Sequence, residues 1–411
     1  MLNTIESSTN GALEQLRTGL SYTGTAQFGS CVQQATCNVL TAQGLAEASD
    51  RIGVSWGFGY GPDADRLRCG ERWLAGVARL SGLNIQRQRF NSATAAFTAE
   101  QTVLESGAPV VVAVDSFDIA SPYLGRTHLM HALIVVEWGS ESVTVLDPMN
   151  EPRPSFLSLD TYRRTRASAV ARNFELIAFE GTVKHAYSAV EALAELHTDA
   201  LTHREAGLAD LDAFIRAVES GQAVPDVADV AAERTYAQKV IAAAARELPG
   251  LEPLTANADA LARRWYFAHT VGMEAGGQAP QRMAKILRDL REREIRLLDE
   301  LASTVEAAGL APAGSSAVQA PPHLISLISS ILAQQTNVAT ERLRPTDDLW
   351  AAGLTSLESV RVMIGLEDEL GIEFPTSLLA RNTFGSIAAI AEAISRLLAG
   401  TSNTTEGQVG R

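Results

Sequence analysis

Up to about residue 182 the chain sets short apolar runs between glycine-punctuated turns. Pro109 to Val114 and His131 to Trp138 are nearly continuous in apolar residues over a strand's length, the pattern of strands buried on both faces. Ser142-Val143-Thr144-Val145-Leu146-Asp147 alternates more clearly, and Gly139-Ser140 ahead of it predicts a hairpin-like turn. Phe174 to Phe179 predicts a closing strand. From about Ala186 to Ala308 the period changes. Leu208 to Val218, Val227 to Leu248, Asn257 to His269 and Gln281 to Ala307 place apolar residues at helical spacing in segments rich in Ala, Leu, Glu and Arg. Gly309 to Pro322 has a linker's composition, a further helical pattern follows to about Gly400, and Thr401 to Arg411 is a polar tail expected to be disordered. The expected architecture is α+β and multidomain: an α+β domain over 1–185, an all-α domain over 186–308, a linker over 309–322 and a helical domain over 323–400.

Length supports this division, since 411 residues exceed one ordinary core. With 46% hydrophobic and 20% charged residues the composition is that of a globular protein, and the longest apolar runs are too short to span a bilayer. The N-terminus lacks the basic start and apolar block of a signal peptide, so a cytoplasmic location is expected. A formal charge of −14 argues against a nucleic-acid partner. Cys31, Cys37 and Cys69 are too few for a disulfide scaffold, and none has zinc-ligand spacing with His, so no metal site is expected.

The chemistry begins near the end of the chain. Asp348-Leu349-Trp350-Ala351-Ala352-Gly353-Leu354-Thr355-Ser356-Leu357 delivers Ser356 to the start of a predicted helix, with Leu354 and Leu357 expected to anchor the turn. There a hydroxyl is accessible, and free N–H groups favour an anion. With Glu373-Phe374-Pro375 and Thr383-Phe384 further on, this region resembles an acyl carrier protein, a four-helix bundle. The resemblance implies 4′-phosphopantetheine attached to Ser356, a phosphopantetheinyl transferase that attaches it and an acyl or aminoacyl ligase that loads it. Most carriers have Asp where this chain has Thr355. Those with a Gly-Leu-Thr-Ser core resemble it further and are charged with amino acids, which tilts the expected cargo toward an aminoacyl group.

In the first region, Phe28-Gly29-Ser30-Cys31-Val32-Gln33-Gln34 places Cys31 at the start of a predicted helix, where a thiolate is favoured and its sulfur exposed. Cys37 falls inside that helix as a packed thiol. His131 opens one strand and Asp147 closes the next, so a base and its orienting group can meet at one end of a sheet. His128, three residues earlier, is the alternative base. Gln27 is a candidate second oxyanion donor, and Tyr123 and Asp115 are candidates for shaping an acceptor pocket. Cys31 with Gly44 thirteen positions on, the loop Trp56-Gly57-Phe58-Gly59-Tyr60-Gly61, Val114-Asp115-Ser116-Phe117, Pro122-Tyr123, His131-Ala132 and Leu146-Asp147-Pro148 together resemble the butirosin biosynthesis protein H family. That resemblance implies a papain-like fold that moves an acyl group from a carrier protein to an amine of an aminoglycoside.

The expectation is therefore a carrier-dependent acyl- or aminoacyltransferase with a small-molecule amine as acceptor. Cys31 is its nucleophile, His131 its base and Asp147 its orienting carboxylate. Two alternatives stay open: a thioesterase or peptidase with the same three residues, and a non-catalytic platform that docks a partner of the carrier.

Overall fold

In a computed structural model of the chain the apolar runs pair into a six-stranded antiparallel sheet. The structure describes residues 12–18, 29–310 with short breaks at 62–63, 65, 70–71, 120–123, 150–152 and 275–279, and most of 322–394. The strands are β1 (Asn84–Gln88), β2 (Val110–Asp115), β3 (Met130–Trp138), β4 (Ser142–Leu146), β5 (Ser155–Ser158) and β6 (Leu176–Glu180), in the order β1-β6-β2-β3-β4-β5. β2 is buried at every residue because both faces of the sheet are covered, which explains its unbroken apolar run. Val111, Ala132, Ile134, Leu146 and Ile177 pack on one side, whereas Val110, Val112, Leu133, Val135 and Val145 pack on the other with Phe97 and Tyr162.

Helices α1 (Cys31–Ala42), α2 (Trp73–Ser81), α3 (Ala93–Glu105) and α4 (Leu159–Ala167) accompany the strands. α5 (Ala189–Glu219), α6 (Ala228–Glu247), α7 (Glu252–Glu274) and α8 (Pro280–Ala307) follow. α5, α7 and α8 extend beyond their predicted stretches, whereas α6 fits within its own. α5 gains its start from a capping box between Ser188 and Glu191.

The boundary expected at 185/186 does not separate two bodies. The chain divides into two compact units, Met1–Ala311 and Pro312–Arg411. One core runs from Leu40 and Ile134 through Leu196 and Phe214 to Trp265 and Leu298. A buried polar network ties the halves together. Glu294 of α8 accepts hydrogen bonds from the indoles of Trp56 and Trp265, each at 2.6 Å, and from Arg234 Nε at 2.8 Å. Arg234 also donates to Glu233 at 2.6 Å, and its guanidinium lies 4.2 Å from the Trp56 ring centre and 4.7 Å from that of Phe58. Ser55 reaches Glu233 at 2.5 Å, while Asp199 accepts from the Trp56 N–H at 2.8 Å and from Arg72.

The glycine-rich loop is shaped by this packing. Gly57 and Gly59 lack positive φ angles, so conformational freedom is not their reason. A Cβ on Gly57 would collide with the Arg72 guanidinium, and one on Gly53 would strike the backbone carbonyl of Tyr236 in α6. The change of period at Ala186 thus marks a change of secondary structure inside one core.

The second unit contains α9 (Pro322–Gln335), α10 (Ser356–Leu370) and helical residues at 387–391 and 393–394. Ile328, Leu332, Leu349, Leu354, Val362, Leu366, Phe374 and Ile390 share its core. The expected tail from 401 onward and most of the expected linker fall outside the described residues. Among the described residues no helix is long and apolar enough to cross a membrane.

Removing Glu294 leaves Arg234 Nε and two indoles without their acceptor. Glu294→Ala is expected to cost about 3–5 kcal/mol, the range for breaking a buried pair. Gly53→Ala, which forces backbone apart, is expected to cost about 3 kcal/mol. Denaturant unfolding followed by tryptophan fluorescence measures both.

Candidate functional site

α1 begins at Cys31 because Ser30, in extended conformation, caps it: its hydroxyl oxygen accepts the Gln33 N–H at 3.2 Å. The first turn carries no acidic side chain to offset the helix dipole. Cys31 is half-buried, whereas Cys37 lies wholly inside and burial pushes its thiol up to about 12. Burial, with Glu233 and Asp229 nearby, pushes the Cys69 thiol well above its ordinary value. Of the three thiols, Cys31 is the one at a helix start.

α1 packs on β3, and its second turn is pinned from the helical layer, where Tyr236 donates to Gln34 Oε1 at 3.2 Å. His131 is the second residue of β3, opposite Val114 of β2. Asp147 follows β4, whose Leu146 pairs with Ile134. This register brings Asp147 back beside the start of β3, and His131 Nε2 lies 3.0 Å from Asp147 Oδ1. The same carboxylate oxygen accepts the Met149 N–H at 2.9 Å, which fixes its orientation. The Cys31 thiol also acts on this imidazole.

His131 and Asp147 are each 8% exposed. Burial alone would depress the imidazole's pKa. The hydrogen bonds to Asp147 and Cys31, with the negative charge of both partners, outweigh it and carry His131 up to about 10. The cluster therefore holds a proton on His131 at neutral pH, and it brings together a thiol, an imidazole and a carboxylate, the groups that nucleophilic acyl chemistry uses. Beside it is a small recess lined by Val32, Ala113, Ala132, Glu175 and Ile177. His128 pairs instead with Asp115, at 2.7 Å. Gln27 and Tyr123 lie outside the described residues. Among the described residues no His, Cys, Asp and Glu grouping could hold a metal ion.

Ser356 is the first residue of α10. Thr355 caps that helix reciprocally: the Glu358 N–H donates to Thr355 Oγ1 at 3.3 Å, and Thr355 N–H donates to Glu358 Oε2 at 2.9 Å. The departure from Asp thus has a structural use that went unread in the sequence, although Thr-x-x-Glu is a legible capping signature. Leu354 is buried as expected, but Leu357 is 64% exposed. α10 buries the phase of Val362 and Leu366, which turns Leu357, Val360 and Ile364 outward. A capped helix start suits a serine bearing a phosphodiester, since helix N-termini favour anions.

A helical unit with a serine as the first residue of a capped helix has the arrangement of the carrier class. Residues 326–394 match the phosphopantetheine attachment site family. A stretch of 75 residues is 41% identical to the aminoacyl carrier protein of Agrobacterium fabrum, covering 90% of that protein and 18% of this chain. Through this unit the chain belongs to the phosphopantetheine-binding carrier proteins. Its cofactor is 4′-phosphopantetheine, bound covalently, and its partners include the enzymes that attach and load that arm.

The His131 shift yields a prediction. A folded-state pKa raised to about 10 contributes stability that is fully present below the ordinary histidine value of 6.5 and is lost as pH rises through about 10. In Cys31→Ala the thiol's hydrogen bond and charge disappear. The His131 titration midpoint, followed by NMR of its ring protons, is then expected to fall, and to fall further when Asp147→Asn is added.

Proposed function

We propose that the chain is a carrier-dependent acyltransferase that moves an aminoacyl or related acyl group from its own carrier unit to a small-molecule amine through Cys31. One observation carries this reading: His131 is hydrogen-bonded to Asp147 and interacts with Cys31 in a chain that also bears a carrier unit. The order helix-borne Cys, strand-borne His and neighbouring Asp supports a papain-like identity for the first region. The resemblance to the butirosin biosynthesis protein H family points the same way. The aminoacyl cargo is supported by the Gly-Leu-Thr-Ser core and by the aminoacyl carrier protein among the chain's relatives.

Phosphopantetheine on Ser356 supplies a terminal thiol that holds the cargo as a thioester. Cys31, as thiolate, attacks the thioester carbonyl, and His131 gives its proton to the departing thiol. Asp147 keeps the ring aligned throughout. The acyl group then rests on Cys31. A neutral amine attacks it, His131 takes the proton released, and Cys31 leaves as thiolate, which restores the starting pair. The backbone N–H of Cys31, at a helix start, is placed to stabilise the oxyanion formed in each addition. Donor and nucleophile share one polypeptide, so their encounter is intramolecular and its effective concentration raised.

Intact-mass measurement tests each step. A phosphopantetheinyl transferase is expected to add one arm to the wild type and none to Ser356→Ala. After loading with an amino acid by an aminoacyl ligase, a second adduct is expected on Cys31, absent in Cys31→Ala. A panel of primary amines, aminosugars and polyamines included, then yields amide. Cys31→Ala is expected to lower that rate about 10³-fold or more, as removal of a covalent nucleophile does. Free acid formed at the same rate with or without amine would establish a thioesterase instead. Amide formation untouched by Cys31→Ala would leave a docking platform.

A further inference from the structure

The transfer mechanism leaves a second carboxylate–imidazole pair unused. Asp115 ends β2 directly opposite Met130, the residue before His131. Val111, Ala113 and Asp115 share one face of β2 by its period of two, and the first two line the recess beside Val32. Asp115 continues that row. It is 3% exposed, and its Oδ2 lies 2.7 Å from His128 Nδ1 and 2.7 Å from the Ser168 hydroxyl, while its Oδ1 accepts the Phe117 N–H at 3.0 Å. Burial pushes its carboxyl up, but the hydrogen bonds from Ser168, His128 and the Phe117 N–H outweigh it and hold it below the usual carboxylate range.

This arrangement is built into the fold. Ser168 precedes a turn in which Arg172, Asn173 and Phe174 all adopt left-handed φ angles of 53°, 56° and 52°. The fully buried Arg166 clamps that turn: it donates to the carbonyls of Phe174 and Glu175 at 2.9 Å each and to that of Ala113 at 2.6 Å, and pairs with buried Glu100. The His128 ring stacks flat on Phe117, with centroids 4.2 Å apart and 7° between planes, yet its side chain is 63% exposed. Nδ1 is taken by Asp115, so Nε2 is left for a partner from solution. Asp115 is the charged group against this ring among the described contacts, and Ser168 and Phe117 are its other neighbours.

The transfer reading has an unfilled proton requirement, and any role for His128 in filling it rests on that reading. His131 takes the one proton released when a neutral amine attacks the acyl group on Cys31. A primary alkylamine arrives as ammonium at neutral pH, with a pKa of about 10, and must lose a proton first. We propose that His128, held by Asp115, is the base that removes this first proton from an incoming primary ammonium. The N–H bond breaks and its electron pair stays on the amine. The proton passes to Nε2, the resulting imidazolium is paired with Asp115, and the exposed ring returns the proton to water. His131 takes the second proton as before, so each turnover balances.

The experiment compares two nucleophiles on loaded protein: a primary alkylamine accepted in the transfer assay, and hydroxylamine, which is uncharged at neutral pH. In His128→Gln the Cys31 adduct is expected to form at the wild-type rate and hydroxylamine to discharge it unchanged. Transfer to the alkylamine is expected to fall about 10- to 100-fold, with the deficit closing as pH approaches the amine's own pKa. His128→Asn serves as the second variant and is expected to show the same split. Equal losses with both nucleophiles, or an undiminished alkylamine rate, would overturn the role of His128. Absence of a Cys31 adduct in the unchanged protein would instead overturn the transfer reading, and the role of His128 with it.

Discussion

The first unit depends on one buried carboxylate. Glu294 gathers the indoles of Trp56 and Trp265 and the guanidinium of Arg234, so a loop from the sheet-bearing half is bonded to three helices of the other half. Each donor is costly to bury alone, and together they satisfy one another in a low-dielectric interior. Arg234 is held on two faces, by carboxylates and by the rings of Trp56 and Phe58, which no ammonium could imitate. Ordinary apolar packing would allow the loop several registers. A fan of hydrogen bonds with directions allows one.

That constraint reaches the candidate site through α6. This helix carries Glu233 and Arg234 in the network and, two residues on, Tyr236, whose backbone abuts Gly53 and whose hydroxyl meets Gln34 of α1. Locking α6 therefore locks the second turn of α1 and sets where Cys31 sits against the sheet. From the other side, antiparallel register sets His131 and Asp147, because pairing Ile134 with Leu146 returns the chain to the level of the β3 start. The geometry of the three residues is fixed by two independent devices, a helix pinned from one layer and a hairpin pinned by its ladder. The helical half, which contributes none of the three, is a structural condition for their meeting.

Local signals carried much of this. Unbroken apolar runs located β2 and β3, the Gly139-Ser140 turn located the hairpin, and the glycine–serine approach to Cys31 located a helix start. Those same signals placed Cys31, His131 and Asp147 at element ends, where they are found. The division at Ala186 was misleading because composition reports secondary structure, whereas a domain is defined by which elements share a core. The network was illegible as a whole, since Trp56 and Glu294 are 238 positions apart. One trace of it was visible. Glu294 falls in the phase of Leu287, Leu290, Leu297 and Leu301, so a charge stood on the apolar stripe of α8. In the carrier unit, the exposure of Leu357 follows from the phase of Val362 and Leu366, which was available from the sequence and outweighs its apolar character.

The two histidine–aspartate pairs at the β2–β3 end show how burial assigns different work to the same chemistry. His131 is enclosed, bonded to Asp147 and shifted upward by that carboxylate and by Cys31. His128 has one nitrogen bonded to Asp115 and most of its side chain open to solvent. In the proposed transfer the two demands fall on different rings: one imidazole holds its proton beside the thiol, and the other takes one from an ammonium. Two pairs on adjacent strand ends, one sealed and one open, would separate those demands within a few residues of chain.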